Sequence, residues 1–242
     1  MRQDQLIFNL PRRVSFRRED FFISSSNRGT LSILDNWRDW PSRKLGLIGP
    51  RSSGKSHLVS LWAERTDAEV VSARDLKEES ISSLIKKKAV AIENINDLEK
   101  IQGKKKVQSE RALLHLYNAA SENECYFLIS GTEAPANWTI SLKDLSSRLK
   151  TLTLTFLLPP DDELLKALIV KQFEDRQIVV APELVTYVAK RIERSFKAIK
   201  EFADLIDKQS LSEKREITIP VAKAILDGLA ISWNGFSKES YY

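Results

Sequence analysis

Residues Gly49 to Ser56 read Gly-Pro-Arg-Ser-Ser-Gly-Lys-Ser; they follow the apolar run Lys44 to Ile48 and open a stretch of helical pattern. The spacing G-x-x-x-x-G-K-[ST] between a strand and a helix suits one chemistry, the cradling of a polyphosphate. Gly49 and Gly54 let the backbone wrap the anion, and successive amides and the helix N-terminus face it. Lys55 would reach the β- and γ-phosphates as a point charge, and the Ser56 hydroxyl would ligate Mg²⁺. With average residue usage, a chance match somewhere in the chain is about a one-in-a-hundred event. The expected contact set is Gly49, Pro50, Arg51, Ser52, Ser53, Gly54, Lys55, Ser56 and His57, with ADP or ATP and Mg²⁺ as cofactors.

A phosphate-binding loop that hydrolyses its nucleotide also needs an acid on a neighbouring strand. The run Ala89 to Ile92 ends in Glu93 and Asn94. Glu93 can hold Mg²⁺ through water. Asn94 cannot accept a proton at neutral pH, so it is a poor general base. A later apolar run ends in Ile-Ser-Gly-Thr, where Ser130 or Thr132 could hydrogen-bond a γ-phosphate or the attacking water; Ser-Gly-Thr is equally an ordinary turn. Farther on, Leu142 to Leu152 carries the isolated Arg148.

Five short apolar runs must position these residues: Lys44 to Ile48, Glu69 to Ser72, Ala89 to Ile92, Tyr126 to Ile129 and Leu152 to Phe156. Each reads as a strand. Helical stretches are expected between them at Lys55 to Arg65 and Gln108 to Asn123. In the second, Ala112, Leu113, Leu116, Tyr117 and Ala120 share one face. Strands alternating with helices predict a parallel sheet covered on both faces, hence an α/β fold with five parallel strands. After Pro159 and Pro160 the pattern is helical only: Asp161 to Phe173, Pro182 to Ile192, Ser195 to Ser210 and Pro220 to Leu229. The expected organisation is a tail at 1–18, a nucleotide-binding domain at 19–158, a small all-α domain at 159–231 and a frayed tail at 232–242. The lysine triplets at 86–88 and 104–106 read as solvated turns.

Composition narrows the classes. The chain has 242 residues, 42% hydrophobic and 29% charged, with a net charge of +5. That permits contact with nucleic acid or acidic proteins without demanding it. One cysteine, Cys125, excludes an internal disulfide framework, and two histidines make a histidine-rich metal centre improbable. Neither a signal peptide nor an apolar run of ~18 residues is present, so a cytoplasmic protein with no membrane partner is expected.

Taken together, GPRSSGKS, AIEN, ISGTEAP, DLSSRL and a following helical domain resemble the AAA+ family. The likeness is greatest to its DnaA-related branch and, within that, to the Hda/HdaA regulators of replication initiation. The segment Glu19 to Leu34, with Asn27 in its SSSN stretch, resembles the lead-in that packs near the adenine. DLSSRL resembles the segment bearing the arginine finger, and Arg194 to Leu211 resembles the lid helix carrying the sensor-2 residue. The resemblance implies an AAA+ P-loop core and a lid, with Glu93 and Arg148 as catalytic residues. It also implies that Asn27, Thr132 and Lys197 join the nucleotide contacts, and that Ser56 and Glu93 hold the metal. Two positions depart from the pattern. Asn94 stands where a second acid is common, and Lys197 stands where an arginine is usual, keeping charge but losing the planar fork.

Hda-like proteins begin with a hexapeptide that docks on the DNA-polymerase sliding clamp. Gln5-Leu6-Ile7-Phe8-Asn9-Leu10 matches its form, with Gln5, Leu6, Phe8 and Leu10 as anchors; a looser register starts at Gln3. The chain ends about a dozen residues past the last lid helix, which leads one to expect no DNA-binding domain after the lid. The implied partners are the DnaA initiator, the clamp (with clamp-loaded DNA reached indirectly) and a second copy of the chain. The leading expectation is a clamp-docked regulator that promotes hydrolysis of DnaA-bound ATP, with Arg148 acting in trans. Two alternatives stand beside it: a nucleotide-gated adaptor, and a helicase-loader-like ATPase that binds single-stranded DNA.

Overall fold

Each of the five apolar runs becomes a strand of one parallel sheet in the computed structural model, which describes residues 22–213 and 217–237. The strands are β1 (Lys44–Ile48), β2 (Glu69–Ser72), β3 (Ala89–Glu93), β4 (Tyr126–Gly131) and β5 (Thr153–Phe156). Their order is β2-β3-β4-β1-β5, and every pairing is parallel. Strands β1, β3 and β4 are buried along nearly their whole length, which is why they read as unbroken apolar runs rather than alternating ones. From β1 the chain crosses to the far edge at β2, and later passes over β1 to reach β5. The carboxyl end of β1 is therefore where the strand order reverses, the place where such sheets bind ligands.

Six helices accompany the sheet or follow it closely in sequence order. They are α1 (Ser25–Asp35), α2 (Lys55–Thr66), α3 (Ile81–Lys86), α4 (Gly103–Glu122), α5 (Lys143–Lys150) and, beyond β5, α6 (Asp162–Glu174). Among the described residues three more follow: α7 (Pro182–Ala189), α8 (Phe196–Glu213) and α9 (Ile219–Ser237). The described residues form two compact units, Ser26–Pro159 and a helical one from Pro160 onward that also takes in residues 22–25. In the α/β unit the core joins Ile92, Phe127 and Ile129 of the sheet to Leu113 and Leu116 of α4 and to Leu145 and Leu149 of α5. In the helical unit the core runs through Leu165, Phe173, Val188, Ile199, Phe202 and Ile206, with Phe22 packed against it. Asp161 caps α6 by accepting the Leu164 amide at 2.9 Å, and Ser195 caps α8 by accepting the Ala198 amide at 3.1 Å.

Several expectations need correcting. Helix α4 begins five residues before Gln108, so the lysines at 104–106 sit in its first turns rather than in a solvated turn. Apolar periodicity misses this start because those turns carry no buried side chain. Helices α1, α3 and α5 were not expected as elements; each is short or mostly polar and is held by tertiary contacts, α1 through Thr30 to β5, α3 against α4 and β3, and α5 against α4. Strand β4 runs on to Gly131, which puts Ser130 inside the strand. Helix α7 stops at Ala189, three residues early. Finally, the stretch expected to fray belongs to α9 as far as Ser237.

Candidate functional site

The loop after β1 is shaped by two glycines. A Cβ on Gly49 would lie 2.6 Å from the Leu157 carbonyl oxygen, an approach only glycine allows. Gly54 takes φ +95° as the residue before α2. No side chain caps α2 and its first turn carries no acid, so its leading amides are available to an anion. Lys55, the first residue of α2, is 7% exposed. Its Nζ donates to the carbonyls of Gly49 and Pro50, both at 2.7 Å, which leaves one of three donors for another oxygen. Burial, reinforced by the charge of Arg51, lowers its pKa to about 8, while Glu93 pulls the other way. Pro50, Arg51, Ser52 and Ser56 are exposed and His57 is half-buried. The Ser53 hydroxyl is buried and makes no hydrogen bond among the described residues.

Glu93 closes β3, and its Oε1 is also buried without a hydrogen-bond partner among the described residues. A buried carboxylate oxygen left so is costly unless a cation or donor meets it. Mg²⁺ fits this donor set, because it takes one or two protein oxygens and completes its shell with water and phosphate. The described residues hold no group of three or more His, Cys, Asp or Glu side chains that could hold a metal ion. Asn94 follows in the left-handed region (φ 56°, ψ 55°) and is exposed, and its amide donates to the Ser130 hydroxyl at 3.2 Å. Ser130 is thereby engaged in joining two strand ends. Thr132 is half-buried, its amide held at 2.7 Å by the side-chain oxygen of Asn96. Asn27 is buried in the first turn of α1. That helix is pinned to β5, since the Thr30 hydroxyl donates to the Phe156 carbonyl at 2.9 Å and lies 3.0 Å from the Thr155 hydroxyl.

Arg148 is in the last turn of α5. Its side chain is 43% exposed, and Nε donates to Asp144 one turn earlier at 2.9 Å. Lys197 is the second residue of α8 in the helical unit, with Glu201 3.6 Å away on the next turn. The clamp-type anchors Gln5, Leu6, Phe8 and Leu10 lie outside the described residues.

Sequence reasoning missed two residues that fasten one segment of the α/β unit to another. Asn96 ties the end of β4 to the turn after β3. Glu110 of α4, with no solvent exposure, accepts the amides of Ser141 and Leu142 just before α5. A signal for the second existed: Glu110 sits three residues before Leu113, on the apolar face of α4, where a charge needs partners.

Residues 161–226 match the family model for the Hda lid domain. Three solved structures share the fold. The chain is similar to the replication initiator DnaA bound to AMPPCP and single-stranded DNA, at TM-score 0.61 and 16% identity, over 81% of this chain and 67% of that one. Domain III of the Thermotoga maritima replication initiation protein DnaA gives 0.68 and 17%, over 90% and 98%. The FIGL-1 AAA domain in complex with ADP gives 0.68 and 11%, over 95% and 92%. At these identities the likeness is one of fold. The shared fold is a five-stranded parallel sheet flanked by helices, and residues 161–226 resemble a lid domain of Hda type. No helix among the described residues is long and apolar enough to cross a membrane.

Proposed function

We propose that this chain, an Hda-like AAA+ protein related to DnaA, is a regulator of replication initiation that docks on the sliding clamp and promotes hydrolysis of DnaA-bound ATP. The observation that carries the reading is the exposed guanidinium of Arg148, at the end of a short helix in a chain whose lid matches the Hda family. An arginine so placed suits another molecule's γ-phosphate, and such a finger contributes about 10³–10⁵ in rate in related phosphoryl transfers.

In this reading the chain's own nucleotide, ADP or ATP, is held by Gly49 to His57, with Asn27, Thr132 and Lys197 completing the contacts. Ser56 and Glu93 would hold Mg²⁺, which when bound neutralises charge on the β- and γ-phosphates. Lys55 would exchange its two loop carbonyls for phosphate oxygens. Asn94 supplies no base and Lys197 no planar fork, so this nucleotide turns over slowly and serves to set conformation. The test is the half-life of DnaA-bound ATP with clamp loaded on DNA, with and without this chain. A marked shortening supports the proposal, and an unchanged half-life contradicts it.

Single-stranded DNA binding has one observation in its favour. A groove of about 960 Å³ is lined by Arg74, Lys77, Lys105 and Arg111. The same walls carry Asp75, Glu78 and Glu79, which offset most of that charge, so the clamp-docked regulator remains the better account.

A further inference from the structure

Glu110 is a carboxylate with no solvent exposure, midway along α4. An ionised group in such a place is tolerated only when its oxygens are met by donors. The donors are backbone amides. Ser141 N–H is shared between Oε1 at 3.0 Å and Oε2 at 3.1 Å, and Leu142 N–H reaches Oε2 at 2.9 Å. The Lys106 ammonium stands 4.0 Å from Oε1 on the preceding turn.

Leu142 is the N-cap position immediately before α5, and its own side chain cannot cap a helix. The Glu110 carboxylate instead accepts the amide of this residue and of the one before it, and its charge complements the positive end of the α5 dipole. On the apolar side, Leu145 and Leu149 of α5 are buried in the same core as Ala112, Leu113 and Leu116 of α4. Two leucines fix which face of a short helix turns inward, yet they restrain its position along its axis only weakly. The three directional contacts to Glu110 supply that missing restraint. Six residues of helix, roughly 9 Å, then carry the restraint from Leu142 to Arg148.

We infer that Glu110 is the positioning residue for Arg148, locking α5 to α4 so that the guanidinium is presented at a fixed place. The inference rests on the trans role proposed for Arg148. Misplacing a transition-state group by about 1 Å can cost on the order of 100-fold in rate. A helix held only by its leucines would still fold and still bind partners, but would present its arginine over a range of positions.

Glu110→Gln tests this. The amide keeps the size of the side chain but offers one acceptor oxygen to two backbone amides, and turns an NH₂ toward one of them. The maximal rate of DnaA-bound ATP hydrolysis should fall about 10- to 100-fold. The concentration of chain giving half-maximal effect, and its own affinity for ADP, should not move. Loss expressed in the half-maximal concentration instead would overturn the proposal, because Glu110 would then serve docking. So would a wild-type rate from Glu110→Gln beside an inactive Arg148→Ala. Full activity of Arg148→Ala would defeat the trans reading itself, which keeps the two failures distinct. Should Glu110→Gln fail to fold, Glu110→Asp keeps the charge and shortens the reach. Its maximal rate should lie between wild type and Arg148→Ala, and a wild-type rate would again overturn the proposal.

Discussion

The head of α2 and the end of α5 both present a cation, and they hold it in opposite ways. Lys55 is almost wholly buried, bound to two carbonyls of its own loop, and acidified by burial to a pKa of about 8. Arg148 has 43% of its side chain exposed and is restrained by one i,i+4 carboxylate. Such an exposed pair contributes about 0.3–0.5 kcal/mol, little enough for a competing phosphate to displace it. The difference separates two tasks. A cation desolvated in advance suits a ligand that stays bound, while an exposed fork on a rigid base suits a phosphate brought by another molecule.

That contrast can be broken first at Lys55. Lys55→Ala should lower affinity for ADP or ATP about 100-fold, as expected for loss of charge-assisted hydrogen bonds, measured by calorimetry. Undiminished binding would remove the nucleotide site from the account. Next in size is the tail. Gln5→Ala with Leu6→Ala should weaken clamp binding at least about 30-fold in a surface-plasmon measurement, because short motifs concentrate their energy in a few anchors. Nucleotide affinity should be untouched.

Smaller effects sharpen the picture of the chain's own site. Asn94→Asp restores a carboxylate beside Glu93, and an aspartate tolerates the left-handed backbone found there. Intrinsic ATP turnover should rise on the order of tenfold, less than a complete general-base contribution because Lys197 stays as it is. A wild-type chain that already turns over rapidly would contradict this. The smallest effect is one of pH. Bound phosphate favours the charged ammonium, so its pKa rises on binding and a proton is taken up between about 8 and the new value. Affinity should therefore be flat below pH 7 and about fourfold weaker at pH 8.5. Isothermal titration in buffers of different ionisation enthalpy would detect the proton directly, and a flat affinity profile would contradict the pKa assigned to Lys55.

Legibility followed distance along the chain. The phosphate loop lies within eight consecutive residues, so glycine freedom and lysine charge could be read without any fold. Strands β1, β3 and β4 were equally legible, because a strand buried on both faces is an unbroken apolar run. Their order was not, since pairing depends on contacts far apart in sequence. Ser130 shows the same limit on a small scale. As a sequence it was a turn residue at a strand tip, and only the neighbouring strand shows its hydroxyl accepting the Asn94 amide. Glu110 is the sharpest case. Its place on an apolar helix face signalled that it needed partners, but those partners are backbone amides about thirty residues away, and amides have no sequence signature. Helix α5 was illegible for a related reason: its eight residues have two apolar anchors, too few to set a period.

Arg148 is proposed to act on a nucleotide other than the chain's own. The most direct measurement is single-turnover conversion of DnaA-bound ATP to ADP, with clamp loaded on DNA, comparing wild type with Arg148→Ala at matched clamp occupancy. The account predicts that Arg148→Ala loses stimulation about 1000-fold, the low end for an arginine finger, while its affinity for ADP and for clamp stays at wild-type values. Arg148→Lys should recover little of that loss, being a point charge on a flexible stem. Full stimulation by Arg148→Ala would contradict the account and leave the chain as a nucleotide-gated adaptor.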